Sequence, residues 1–246
     1  MENIFNKRKG LSGSTLKIIA IVTMLIDHIG ATIIEHLMYT INGYNEYLLP
    51  LYLVMRTIGR LAFPIFCFLL VEGFFHTRDV KNYAIRLALF ALISEVPFDF
   101  AFNHTILEFG HQNVFFTLLI GLLMIWALEY INERFVYDRA VHIALYMVIT
   151  MVASFLANFL KSDYGSLGIF VILLMYIFRN NRLIQTISVC AAFVILTRFS
   201  LQSLAGLAFI PINQYNGKKG LSLKYLFYAF YPVHILILGL IVRYII

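Results

Sequence analysis

The chain is 246 residues long, 61% hydrophobic and only 13% charged, with a net charge of +6 and a mean hydropathy of +0.83. Soluble domains carry about 25% charged residues, so the composition excludes an ordinary water-soluble fold and points to an all-α, polytopic membrane helix bundle. The 19 basic residues are scattered between apolar runs, without the stripe that a phosphate backbone needs, which argues against a nucleic-acid partner.

A spanning helix needs about 20 mostly apolar residues. In chain order the sequence places such spans near 15–36, 50–75, 83–102, 113–131, 140–160, 165–178, 183–198, 201–213 and 223–243. The expectation is one transmembrane domain over residues 1–246 with about nine helices (eight to ten), residues 1–14 forming a cytoplasmic N-terminal segment. The first span follows Lys7-Arg8-Lys9 but is too long for a signal peptide, holds Asp27-His28 and lacks a small-residue cleavage site, so it reads as retained. Spans seven and eight are short and separated only by Arg198-Phe199-Ser200, which also suits a broken or re-entrant pair. Alternate connections carry Lys7/Arg8/Lys9, Arg78/Lys81, Arg134/Arg139, Arg179/Arg182 and Lys218/Lys219/Lys224, whereas the intervening ones carry only Lys161 and Arg198. That bias expects the N-terminus in the cytoplasm. Cys67 and Cys190 lie in apolar runs and read as packing residues. No His, Cys and carboxylate set has ligand spacing on one helix, so no metal is expected.

Ionisable groups in apolar spans are costly and are functional candidates by default. Here they are Lys17, Asp27, His28, Glu35, Arg56, Arg60, Glu72, Arg86, Glu95, Asp99, Glu129, His142 and His234. At a rise of about 1.5 Å per residue, His28, Arg60, Glu95, Asp99 and His234 come out roughly 16–24 Å from the cytoplasmic ends of their helices, in one layer beyond the midplane. Lys17, Glu72, His76, Arg78 and Arg86 lie within about two turns of the cytoplasmic face by the same count. Lys17 and His28 fall within about 20° of each other on one helix face, whereas Asp27 points about 100° away from His28. Glu95 or Asp99 is therefore the expected orienting partner of His28, or the ion-pair partner of Arg60. Glu35, Glu129 and Arg56 read as interfacial charges, and His142 as a satisfied interfacial histidine. Pro64, Pro97 and Pro232 free the carbonyls of Arg60, Ile93 and Tyr228, and kinks there are expected to open a cavity beside the deep polar layer.

Several of these residues fall in recognisable runs. Leu16-Lys17-Ile18-Ile19-Ala20 with Met24-Leu25-Ile26-Asp27-His28-Ile29-Gly30 resembles the first span of the TraX family. Gly59-Arg60-Leu61-Ala62-Phe63-Pro64-Ile65-Phe66 and Val71-Glu72-Gly73-Phe74 with His76-Thr77-Arg78 are similar in the same way. So are Tyr83 with Arg86-Leu87, Glu95-Val96-Pro97-Phe98-Asp99, and Phe230-Tyr231-Pro232-Val233-His234. The resemblance implies a multi-pass protein of the bacterial cytoplasmic membrane that acetylates a pilin N-terminus. Lys17 and His28, separated by ten residues, also match the first-span spacing of acyltransferase-3-type membrane acyltransferases, a likeness of sites only.

Together these readings imply transfer of a small acyl group from cytoplasmic acyl-CoA (acetyl-CoA) to an envelope-side amine or hydroxyl. The acceptor is a pilin or other peptide, a glycan or a lipid; membrane lipids are the remaining partner. The candidate catalytic set is His28 as general base with Asp27, Arg60, Glu95, Asp99 and His234. The candidate donor-binding set is Lys17, Glu72, His76, Arg78 and Arg86. The alternative is a proton-coupled transporter or lipid flippase that uses the same polar layer.

Overall fold

The computed structural model describes residues 10–40, 43–103, 105–134, 139–221 and 224–246. Lys7-Arg8-Lys9, and with them most of the expected N-terminal segment, lie outside the described residues.

Helix α1 (Gly13–Ile29) starts at Ser12, whose hydroxyl accepts the Thr15 N–H at 3.2 Å. Its first turn is also tied to a distant connection: the N–H groups of Gly13 and Ser14 donate to the carbonyls of Lys218 and Lys219 at 2.7 and 2.9 Å. Those two donors have no intrahelical acceptor, so the loop satisfies what the helix start leaves open. After His28 the helix widens into a π turn (Gly30–Ile34) and closes as α2 (Glu35–Met38). A short antiparallel hairpin, β1 (Tyr39–Thr40) and β2 (Gly43–Tyr44), leads to α3 (Leu49–Gly59) and α4 (Ala62–His76). Asp79 caps α5 (Val80–Phe102), and the Asn82 N–H that it accepts at 2.8 Å holds the exposed Asp79 carboxyl below its usual range. There follow α6 (Val114–Arg134), α7 (Arg139–Phe159), α8 (Gly165–Ile177), α9 (Arg182–Leu196), a 3-10 helix (Leu201–Ala208), α10 (Phe209–Ile212) and α11 (Lys224–Tyr244).

Helical stretches thus stand at all nine expected positions, and the chain is an all-α membrane bundle. Among the described residues, five stretches are both long and apolar enough to cross a bilayer: Gly13–Met38, Glu46–His76, Val114–Arg134, Arg139–Phe159 and Leu226–Tyr244. Helix α5 has the length, at 23 residues, but carries Lys81, Arg86, Glu95 and Asp99. Helices α8 and α9 have 13 and 15 residues, about 20 and 22 Å, which is short of a hydrocarbon core of about 30 Å. The eighth expected span is corrected: 201–213 is mainly 3-10 helix, not a spanning α-helix. Arg198 and Phe199 both take left-handed backbone angles (φ 52° and 58°), so α9 cannot run on, and the chain reverses to pack the 3-10 segment against it.

Helix α4 is the hub. It packs on α1, α6, α8 and the 3-10 helix, and its Ala62–Val71 part is apolar because its neighbours cover it, while Glu72 and His76 follow at its end. Ile65, Cys67, Phe68, Leu70 and Val71 meet Leu16 and Ala20 of α1, Leu122 and Ile125 of α6, and Ile172 of α8 in one continuous core. Helices α5 and α11 form the other close pair. At Gly239 a Cβ would stand 2.8 Å from a ring carbon of Phe100 and 3.1 Å from the Cα of Ala101. Gly239→Val should therefore push α11 off α5 and cost about 1–3 kcal/mol, read as a lowered melting temperature of the protein in detergent.

Candidate functional site

The deep polar site begins with the break between α3 and α4. Pro64 has no N–H for the carbonyl of Arg60, and the helix is interrupted at Arg60–Leu61, one turn before that proline. Arg56 and Arg60, four residues apart on α3, both face α1. Arg60 Nη2 donates to the two carboxylate oxygens of Asp27 at 2.8 and 3.1 Å, and Arg56 Nη1 donates to Asp27 Oδ2 at 3.0 Å. Gly59 makes this possible: a Cβ there would fall 2.1–2.3 Å from the Asp27 side chain. The remaining polar atoms of Arg60 are largely committed too, Nη1 to Gln202 Oε1 at 2.8 Å and Nε to the Arg56 carbonyl at 3.1 Å.

Two expectations change here. The ion-pair partner of Arg60 is Asp27, not Glu95 or Asp99, and Arg56 is a member of the site and not an interfacial charge. Glu95 accepts from Asn113, whose amide also donates to the Ala91 carbonyl at 2.8 Å. Asp99 accepts from Asn103 Nδ2 at 3.0 Å and from the Glu108 N–H at 2.7 Å. Both carboxylates therefore hold the α5–α6 connection onto α5, because their face of α5 is turned to that connection and away from α1. Glu129 and Glu35 are likewise not simply interfacial. The first accepts from Tyr176, and the second accepts from Tyr52 at 3.3 Å and lines the cavity described below. His142 stacks on Tyr146 at 4.8 Å.

The orienting partner of His28 is His234. His28 Nδ1 and His234 Nε2 are 2.7 Å apart with the two rings within 2° of parallel, and His234 Nδ1 lies 2.6 Å from the Phe230 carbonyl. A carbonyl can only accept, so neutral His234 carries its proton on Nδ1 and its Nε2 accepts from His28 Nδ1–H. The lone pair of His28 is then on Nε2. Phe102 and Tyr231 set their ring edges against His28 at 5.6 and 5.9 Å.

Asp27, His28, Arg56 and Arg60 line one cavity of about 540 Å³, with Glu35, His111, Asp163 and Tyr164. His111 and Asp163 approach to 4.0 Å. Tyr164 sits at φ 65°, a strained angle for a non-glycine residue, and a parallel stack on Phe63 at 3.6 Å holds it there. A second cavity, of about 470 Å³, lies toward the Gly13 end of α1 and takes in Lys17, Glu72, His76, Arg86, Tyr215 and Lys219. Lys17 Nζ stands over the Phe227 ring at 5.3 Å, His76 Nδ1 is 2.7 Å from the Glu72 carbonyl, and Arg182 reaches Glu72 at 3.6 Å. Arg78 is exposed in the next connection and does not line this cavity. Met24, Phe66, Val114 and Tyr231 border both cavities. Tyr164, Gln202, Asp163 and Tyr215 carried no signal in the sequence, and Arg182 and Lys219 stood out only as basic residues of the connections. Tyr231 stands inside one of the recognised runs.

A family model described as TraX protein matches residues 12–242, nearly the whole of this framework. The chain belongs to the TraX family. A probable fimbrial assembly protein, FimC of Dichelobacter nodosus, is 31% identical to it over 92% of this chain and 94% of its own length. An uncharacterized protein of Rickettsia prowazekii (strain Madrid E) is 24% identical over 82% of this chain and 68% of its own. No solved structure matches. The runs that resemble TraX supply Asp27, His28, Gly59, Arg60 and His234 to the deep site and Lys17, Glu72, His76 and Arg86 to the second cavity. Among the described residues no group of three His, Cys, Asp or Glu is placed to hold a metal.

Asp27→Asn leaves two guanidinium groups, each less than a quarter exposed, without their counter-charge. It should cost about 3 kcal/mol, measured as a fall in thermal stability or in resistance to proteolysis in nanodiscs.

Proposed function

We propose that this chain is a membrane-embedded acyltransferase that moves an acetyl group from cytoplasmic acetyl-CoA to an amine or hydroxyl on the envelope side of the bacterial cytoplasmic membrane. One observation carries the reading: a histidine with its lone pair fixed on Nε2 lines a polar cavity, and that cavity shares four lining residues with a basic one. With the N-terminus in the cytoplasm, as the Lys and Arg bias expects, the basic cavity opens to the donor. Lys17, Arg86 and Lys219 would meet the donor's phosphates, with Arg78 on the rim outside. The thioester arm would then extend toward His28. The fimbrial-assembly name of the Dichelobacter relative makes a pilus or fimbrial subunit the favoured acceptor over a glycan or lipid.

In the step itself the acceptor nitrogen or oxygen attacks the thioester carbonyl carbon while its proton passes to His28 Nε2. The C–S bond then breaks, the CoA sulfur takes the proton back from His28, and an amide or ester and free CoA result. His234 holds the His28 tautomer, and the Asp27–Arg56–Arg60 cluster supplies a net positive field near the developing oxyanion.

Purified protein given acetyl-CoA should release free CoA, and His28→Ala should lower that rate by about 10²–10⁴-fold at unchanged melting temperature. The Lys17→Ala, Arg86→Ala pair should raise KM for acetyl-CoA with little change in kcat. Flux driven by a pH gradient without any CoA release would instead support a carrier.

A further inference from the structure

The donor and the base lie on opposite sides of a thin wall. A thioester that enters through the basic cavity must bring its carbonyl carbon to the wall before His28 can serve an acceptor on the far side. Of the four residues that border both cavities, Met24, Phe66 and Val114 present only apolar side chains, and Tyr231 presents a hydroxyl. Arg60, part of the cluster whose positive field lies near the oxyanion, is a poor choice to hold it directly. Four of its hydrogen bonds already go to Asp27, Gln202 and the Arg56 carbonyl, and it does not border the basic cavity. Tyr164 shares the chamber with Arg60 but also stands away from the wall.

Tyr231 is also well placed in other respects. Its ring is 4% exposed and fixed on three sides, edge-on to His28 at 5.9 Å, to His234 at 5.8 Å and to Phe115 at 5.1 Å. Its hydroxyl is the one phenol on a residue that borders both cavities. A phenol O–H can donate a hydrogen bond, which the apolar side chains beside it cannot.

We infer that Tyr231 donates its phenol O–H to the thioester carbonyl oxygen and holds the oxyanion as the acceptor attacks. The inference rests on the acyl-transfer reading above and adds to it the group that polarises the donor. The phenol proton stays on Tyr231 throughout. The acceptor's proton goes to His28 and then to the departing CoA sulfur, so no further acid is needed.

Tyr231→Phe keeps the ring and its three edge contacts and removes only the hydroxyl. In membranes fed labelled acetyl-CoA it should lower kcat for CoA release by about 10²–10³-fold, the usual effect of losing one oxyanion donor. KM for acetyl-CoA should stay within about threefold. Incorporation of 3-fluorotyrosine and 3,5-difluorotyrosine at 231 leaves the fold intact and makes the phenol a progressively stronger donor; the rate should change in step with phenol acidity. An active wild-type protein whose Tyr231→Phe variant keeps kcat within about threefold overturns the Tyr231 assignment and leaves acyl transfer standing. A rate indifferent to fluorination overturns it as well, since a ring that merely packs would not respond. A folded wild-type protein that releases no CoA overturns the acyl-transfer reading, and this inference with it.

Discussion

Two guanidinium groups inside an apolar bundle need a counter-charge, and one carboxylate supplies it. Asp27 of α1 faces Arg56 and Arg60 of α3, and the three fix how those helices meet. The contact is close because Gly59 has no side chain to keep Asp27 away. It is rigid because Arg60 is held at several points at once and from different elements, by Asp27, Gln202 and the Arg56 carbonyl. An unpaired buried charge would cost several kcal/mol, so the cluster favours the packing of α1 on α3. Once α1 is seated, His28, the next residue along, has only one place to be.

From that seat the neighbouring helices acquire their roles. Helix α11 brings His234 to the other side of the His28 ring and orients it through a carbonyl of its own backbone. Helix α5 contributes apolar wall residues, Phe98, Ala101 and Phe102, while its two acidic residues hold the following connection in place. The polar path is continuous in layout but interrupted by a wall of Met24, Phe66, Val114 and Tyr231.

Much of this was legible because hydropathy and depth are properties of a single helix. The positions of the helical stretches follow from apolar runs, and the split into a basic tier and a deeper His/Arg tier follows from counting residues along each run. Lateral contact is different, since it depends on how each helix is rotated against its neighbours, and that rotation is set by packing. Asp27 shows the point. Its 100° offset from His28 rightly separates the two, yet the offset alone does not say that Arg56 and Arg60 wait on the other side. Glu95 and Asp99 share the depth of His28 but turn to the α5–α6 connection. Tyrosines are the hardest to read. Among 15 tyrosines and 23 phenylalanines, nothing local distinguishes Tyr164 from residues of an interfacial belt, and Tyr231 stands out only by its place in the Phe230–His234 run.

The π turn at Gly30–Ile34 follows His28 within two residues. Such a turn is an α-helix that has accepted one surplus residue, so it works as a shift of reading frame written into three dimensions. Everything before it is phased for the Asp27–His28 site; everything after it is rotated by about 100° relative to an unbroken helix. That rotation is what brings Glu35, His36 and Tyr39 onto the wall of the same cavity as His28. The two halves of this first helical stretch are therefore phased separately, and one inserted or deleted residue between them can re-aim the Glu35–Tyr39 side of the cavity while its Asp27–His28 side stays as it is.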